Sequence, residues 1–515
     1  MTQFSFSHIA NNTHPQWWKD PGLRRNVLHC FGCCFCVFYL GYDQSLLTGL
    51  QALPQWNAFF HSPKGNELGL YAASLFLPSI VTAFVGDWIA YKFGRRIAVW
   101  CGSVLIIIGA LVNALATGKG MFIGGRVILG AGGAITKVGA PALLHEIAHP
   151  RLRGVLGALY YTFYYAGSLT SACLCIAGLY VKGNWGWRFP CIAQILGPIV
   201  VIGLTLTAPE SPRYLIKNGK HEQAKAMLIK HHANGAADDP LVEYEYREIT
   251  SAIEAEELVP KTKYIDFLRS PGNRRRLFAV VTLAFGTNWV GNGLISYYLS
   301  PVLRSVGVSK PVQITGINAG LAAWNLVLAQ TAASNVERIG RRPLFFASII
   351  GMFLSYVFVM ALSATFAEQK NQAAGLAVIP FLFFFYGFYD IAWTPLPYHY
   401  STEILPYALR TKGLAIFTST QNVGNAFNQF VNPIALQNIA WRYYGVYLGV
   451  LAAYFTIAYF CYPETKGLAL EEITLVFDYG RKEGRQKAAE RMRGESRVEE
   501  TDDVKGDEAA HVERV

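Results

Sequence analysis

Two ionisable residues of opposite sign, Asp43 and Arg126, stand inside long apolar stretches of this chain. Such groups are costly to hold away from water and default to a functional reading with a named partner. An acid beside an arginine can form a static ion pair. It can also take up and release a proton, because a nearby cation favours the ionised acid and a closed apolar surround disfavours it. Lys137 and Asp390 are two further ionisable groups in comparable stretches. Lys137 can snorkel to a polar edge or meet an anionic ligand. A second set of charges lies at the ends of the apolar stretches: Glu146, Arg153, Glu210 and Arg213 with Arg95 and Arg96, and later Glu337, Arg341, Arg342, Glu403, Arg410 and Glu464. A third set, able to bind hydroxyl groups, comprises Asn288, Asn292, Tyr297 and Tyr298, then Trp393 and Tyr398, then Asn422, Asn425, Gln429 and Asn432. A hydroxyl is both donor and acceptor, which suits amides, although an amide row can equally bind neighbouring helices.

The stretches that must position these groups have the length of membrane helices. The chain of 515 residues is 52% hydrophobic and only 15% charged, against roughly 25% charged in soluble proteins. Apolar segments run over 27–49, 68–90, 97–117, 120–142, 155–181 and 189–208, then 277–299, 314–336, 344–366, 373–399, 414–434 and 441–462. Each approaches the roughly 20 residues a helix needs to cross a bilayer. Strands of a membrane barrel would be shorter and would alternate apolar with polar. The expected architecture is therefore all-α, with twelve transmembrane helices. The net charge of +11 follows topology: Lys92, Arg95 and Arg96, Arg151 and Arg153, Arg338, Arg341 and Arg342, and Arg410 and Lys412 all fall on one side. That asymmetry predicts cytosolic termini and a cytosolic central loop, and a lipid rather than a nucleic-acid partner. The first 26 residues lack an apolar core with a cleavage site, so the first span is expected to serve as an uncleaved insertion signal. Cys30, Cys33, Cys34 and Cys36 read as small hydrophobes within the first span, and no metal or cofactor is expected.

Three motifs recur in one order at a nearly constant offset. Gly94-Arg95-Arg96 returns as Gly340-Arg341-Arg342. Glu146, Pro150 and Arg153 return as Glu403, Pro406 and Arg410, and Pro209-Glu210-Ser211 returns as Pro463-Glu464-Thr465. Two six-helix halves related by an axis along the membrane normal follow. The expected organisation is a cytosolic segment 1–26, a first bundle 27–208, a linker 209–275 with short helices, a second bundle 276–463 and a cytosolic tail 464–515. Gly130, Gly132 and Gly133 follow no strand, so helix packing explains them better than a dinucleotide fingerprint.

These motifs resemble those of the sugar porter family of the major facilitator superfamily, a class of transporters and not enzymes. The likeness runs from Gly41-Tyr42-Asp43 through Lys92-Phe93-Gly94-Arg95-Arg96, Gly125-Arg126, Pro209-Glu210-Ser211-Pro212-Arg213 and Gly291-Asn292-Gly293 to Pro463-Glu464-Thr465-Lys466-Gly467. Thr394-Pro395-Leu396 and Glu403-Ile404-Leu405-Pro406-Tyr407 resemble the fungal branch, near lactose and hexose permeases. The resemblance implies two pseudo-symmetric bundles that rock around a central site. It implies a proton-coupling role for Asp43 with Arg126. It also implies a latch of the terminal charges that holds the cytosolic side shut, although topology and helix capping account for the same charges. Substrate contacts are expected at Asn288, Asn292, Tyr297, Tyr298, Trp393, Tyr398, Asn422 and Asn425. This sequence departs from the family at Tyr91, Tyr161, Thr287, Asn288 and Tyr398, which points away from a simple hexose held in the usual way. The expected function is proton-coupled transport of a sugar or glycoside across the plasma membrane by a monomer. A facilitator, a carrier of a non-sugar metabolite and a sugar sensor are the alternatives.

Overall fold

The computed structural model describes residues 12–14, 16–258, 263–466 and 470–479; within these, some side chains, including those of Tyr161 and Glu337, are not described. The described residues form helices and turns, with no strand among them. Ten helical stretches are long and apolar enough to cross a membrane, one of which, Lys412–Cys461, contains two columns separated by a reversal at Ala440–Arg442. A further column is split into Gly65–Ala73 and Ser79–Lys92. The described residues thus make twelve columns. The unbroken ones are Pro21–Leu50, Arg95–Ala114, Lys119–Ile147, Pro150–Leu179, Pro311–Ile339, Arg341–Gln369, Tyr407–Ile439 and Tyr443–Cys461. Besides span two, spans six (Trp185–Ala193, Leu196–Leu206), seven (Pro271–Trp289, Asn292–Ser305) and ten (Gln372–Ala392, Leu396–Ile404) are interrupted.

The helix starts follow from capping chemistry. Asp20 accepts from Leu23 N before Pro21, Ser270 from Asn273 N before Pro271, and Asn371 from Ala373 N. Each supplies the side-chain acceptor that a first turn lacks. Spans three and nine start differently and alike. Gly94 (φ 108°) and Gly340 (φ 104°) sit at their N-caps in a backbone conformation that disfavours a Cβ. A carboxylate from the end of the same half then covers the exposed N–H groups. Glu210 accepts from Arg95 N (3.0 Å) and Arg96 N (3.2 Å), and Glu464 from Arg341 N (3.0 Å) and Arg342 N (2.9 Å). The duplication seen in the motifs is therefore a duplication of contacts.

Each half has its own apolar core, one built mostly on spans one to six and one on spans seven to twelve. Small residues bring the helices together, as expected where lipid is as apolar as a side chain. Gly132 meets Gly102 of span three, Gly130 meets Leu75 O of span two, and Gly133 meets Leu40 of span one. The halves touch where span five packs on span eight and span two on span eleven.

The polar linker carries helices Pro212–Lys217, His221–His232, Pro240–Leu258 and Asp266–Arg269. The second docks beneath the first half. Both ring nitrogens of His232 face acceptors, Glu245 Oε2 at 2.6 Å and Ile147 O at 3.1 Å. Burial, then the neighbouring His232 and Arg151, pushes the buried His149 down to about 3. Burial, then His29 and other cations, pushes His231 down to about 4. Both histidines are neutral when the linker is docked, so their contribution is complete above the ordinary value of about 6.5 and falls as pH drops below it. Each loses about 1.4 kcal/mol per pH unit there. Hydrogen exchange in 221–232 is expected to accelerate from pH 6.5 to 5, beyond the change in intrinsic rate, and His149→Gln to halve the effect.

Candidate functional site

The interrupted spans leave backbone carbonyls without helical partners, and buried polar side chains answer them. Arg126, 2% exposed in span four, donates from Nε to Tyr71 O at 2.6 Å, beside the break in span two. Asp43, 3% exposed, accepts from Gln194 Nε2 at 2.7 Å, at the break in span six. No ion pair within 4.0 Å joins Asp43 to Arg126 in this conformation, although each still acts electrostatically on the other. The reason is geometric: each has a nearer partner at a helix break. Tyr42 OH likewise reaches Pro190 O, Tyr356 OH reaches Gly291 O, and Tyr389 OH reaches Thr287 O. Non-helical backbone at membrane depth is tolerated where protein or a water-lined cavity satisfies it.

Beside Asp43 opens a small pocket lined by Asp43, Gln44, Phe76, Ser79, Gly133 and Lys137 among others. Gln44 Oε1 accepts from Tyr164 OH (2.9 Å) and from Tyr297 OH (3.2 Å), joining spans one, five and seven. Asn425 of span eleven lies beside the Tyr297 hydroxyl. Of the expected substrate contacts, Tyr297 and Asn425 therefore lie together, while Asn292 accepts at its backbone carbonyl from Tyr386 OH. Asn288 is turned to span eleven, donating to Gln421 O, and Asn422 is buried. Two of the expected contacts are buried in this conformation. Trp393 is packed between Gly286, Phe345 and Tyr454, and Tyr298 is fully buried with its hydroxyl on Gln429 O. Trp393 belongs to the core of the second half, and Tyr298 reaches into that of the first. Tyr398 is partly exposed, edge-on to Phe417. Much of the amide row on span eleven binds helices: Asn428 donates to Asn288 O, and Asn432 accepts from Tyr443 and Tyr447.

The halves are joined at mid-depth and at the end away from the linker. Thr48 bonds Ser296 O, Gln51 Nε2 bonds Tyr297 O, and Ser300 and Arg304 bond Gln51 O. At mid-depth, fully buried Asp390 accepts from Tyr165 OH of the other half (2.6 Å) and from Thr394 (2.7 Å). With its amide turned to satisfy both ends, Asn325 of span eight also donates to Asp390. Tyr165→Phe is expected to weaken this inter-half contact by about 1 to 3 kcal/mol. Faster hydrogen exchange in 44–51 and 292–304 would register it.

At the linker end the ions pair within their own half. Arg95 Nε lies 3.1 Å from Glu146, and Arg341 Nη2 lies 2.7 Å from Glu403. Arg96 reaches Ala208 O and Arg342 reaches Tyr459 O. Arg153 turns to Glu245 of the linker at 3.6 Å, and Arg213 is exposed. Arg410 is partly buried, and the side chain of Glu337 lies outside the described residues. Among the described residues, no ion pair at this end crosses between the halves.

A family model described as "Sugar (and other) transporter" matches residues 29–477. The chain belongs to this family. It is 30% identical over 86% of its length to the MFS-type transporter oryC of Aspergillus oryzae, covering 83% of that protein. It is 28% identical to the sugar transporter STL1 of Saccharomyces cerevisiae, over 94% of this chain and 86% of that one. The xylose transporter XylE of E. coli in an inward-open conformation superposes with a TM-score of 0.71 at 23% identity, covering 86% of this chain and 98% of XylE. The fold is that of the major facilitator superfamily. This sugar transporter is thus a multi-pass membrane protein, and the family is one of carriers rather than enzymes.

Several polar residues of the transporter's interior escape a reading by motif: Gln44, Tyr164, Tyr165, Gln194 and Asn325. Gln194 carries a visible signal, a lone amide in the apolar run Cys191-Ile192-Ala193-Gln194-Ile195-Leu196. The tyrosines carry none, since an aromatic in a membrane helix is ordinary until a neighbour's polar atom is seen beside its hydroxyl.

Proposed function

We propose that this transporter carries a sugar or glycoside across the plasma membrane by alternating access, driven by proton symport. One observation supports this most: a buried carboxylate, Asp43, lines an interior pocket beside the seam between the halves and has a neutral amide rather than a cation as its hydrogen-bond partner. Opening the cavity to one side or the other changes the water around that carboxylate. Such a change shifts the balance between its two protonation states. The superposed E. coli protein is a proton:xylose symporter and was solved with 6-bromo-6-deoxy-D-glucose, which is in keeping with the reading. The termini and the linker lie on the cytosolic side, where the basic loop ends cluster.

In this reading the structure is open toward the cytosol. The outer ends of the halves are sealed through Gln51, Ser296 and Ser300, while the arginine–glutamate pairs of the inner end stay within each half. Closure of the inner end brings the two sets together as the latch. A single polypeptide contains the whole site, so a monomer suffices. Reconstitution in liposomes with labelled hexoses and disaccharides tests the proposal. Uptake above equilibrium in the presence of an inward proton gradient supports symport, and uptake only to equilibrium indicates facilitation. Absence of any sugar flux removes the sugar reading.

A further inference from the structure

The geometry points to Lys137 as the recognition group for a carboxylate on the transported solute. The substrates would then be hydroxylated monocarboxylates of the sugar-acid class; this rests on the sugar-carrier reading above and narrows it.

Lys137 stands on span four about three helical turns from Arg126, which places both on one face. Its neighbours Gly133, Ala134, Thr136, Gly139 and Ala140 are buried, yet Lys137 itself is exposed. The exposure is to the cavity, whose wall Lys137 shares with Asp43 and Gln44. Among the described residues, no carboxylate lies within 4.0 Å of its ammonium group and no charged neighbour acts on it. The two acids at this depth have other donors, Asp43 from Gln194 and Asp390 from Tyr165 and Thr394. A cation within a membrane helix needs a counter-charge or water. Snorkelling would carry the ammonium to the membrane edge, whereas here the cavity brings water to it.

The chemistry selects among anions. Lysine offers one compact charge and three donors, without the forked geometry of arginine. Arg126 is not among the residues that line this pocket, and its Nε is turned to Tyr71 O, so a dianionic phosphate would find one cation only at the pocket wall. A monocarboxylate matches it. Gln44, Tyr164, Tyr297 and Asn425 supply donors and acceptors for the hydroxyl groups of the same solute. Loss of water from the site on closure strengthens the ammonium–carboxylate contact.

The test uses the full-length protein in liposomes with two matched pairs: D-galacturonate against D-galactose, and D-glucuronate against D-glucose. Each pair differs only in a carboxylate replacing a hydroxymethyl group. The wild type is expected to favour the acids. Lys137→Gln is expected to lower kcat/KM for the acids roughly ten- to hundredfold, mainly through KM, the range of a charge-assisted hydrogen bond. The acid-to-neutral ratio of kcat/KM should fall by the same factor, and Lys137→Arg should keep most of the acid preference. Neutral sugars carried at least as well as acids, or an acid-to-neutral ratio untouched by Lys137→Gln, overturns the inference and leaves the carrier reading standing. A protein that carries none of the four sugars fails the carrier reading itself, and this inference with it.

Discussion

Asp43→Asn will abolish proton-driven accumulation while leaving exchange of solute intact. Asparagine keeps the volume of the side chain and an oxygen that can accept from Gln194 Nε2, the contact of 2.7 Å that holds Asp43. It cannot bind and release a proton. With one proton per solute, an inward gradient of one pH unit is worth 1.36 kcal/mol, enough for about tenfold accumulation; the variant should stop at equilibrium. Counterflow, in which labelled solute enters against unlabelled solute inside, needs only the rocking step and should persist. Arg126 does not depend on Asp43 for its placement, because Tyr71 O holds it, so the variant should fold. Accumulation retained by Asp43→Asn would mean that the driving proton is bound elsewhere, with Asp390 the next acid to replace.

A second large effect concerns the crossing of spans one and five. A Cβ on Gly41 would overlap the Tyr164 carbonyl, and a Cβ on Gly167 would overlap the Phe38 carbonyl. Both obstacles are backbone atoms within continuous helices, so neither can swing aside. Even Gly41→Ala or Gly167→Ala must push the helices apart, which costs about 3 kcal/mol or more, the upper end for overpacked cores. The displacement would also drag Tyr164 from Gln44 and Tyr165 from Asp390, so the inter-half contacts weaken with the fold. Thermal unfolding followed by size-exclusion in detergent should show a large drop in midpoint, or no monodisperse protein. Gly124→Ala and Gly203→Ala are the controls, since nothing lies within 4 Å of a Cβ at either position. Equal stability of all four variants would show that the crossing is looser than its geometry implies.

The two predictions draw on different kinds of information. Asp43 was visible in the chain because a charged residue inside an apolar run is rare and expensive. Its partner was not visible. A motif names the residue types that co-occur, and Arg126 was the natural choice by sign, but the choice of hydrogen-bond donor is made by whichever group the helix breaks bring nearest. Gln194 and the Tyr71 carbonyl both lie at such breaks. The same limit explains Trp393 and Tyr298. Their types suit a sugar ring, yet a rotation of part of a turn decides whether an aromatic faces the cavity or the core, and the kinks at Tyr298 and before Pro395 set that rotation.

The order of apolar runs and the repeated acid–arginine motifs were enough by themselves to indicate a multi-span membrane protein of two matched halves, and the resemblance to the sugar porter family marked it as a carrier. Hydrocarbon accepts little else than helices of this length, and the duplication is written into local composition. Which donors the buried acids take, which hydrogen bonds join the halves, and which side chains share the pocket with Lys137 were decided only by the tertiary structure. Those are relations between helices far apart in sequence, set by close packing at a few glycines and by where each broken span turns.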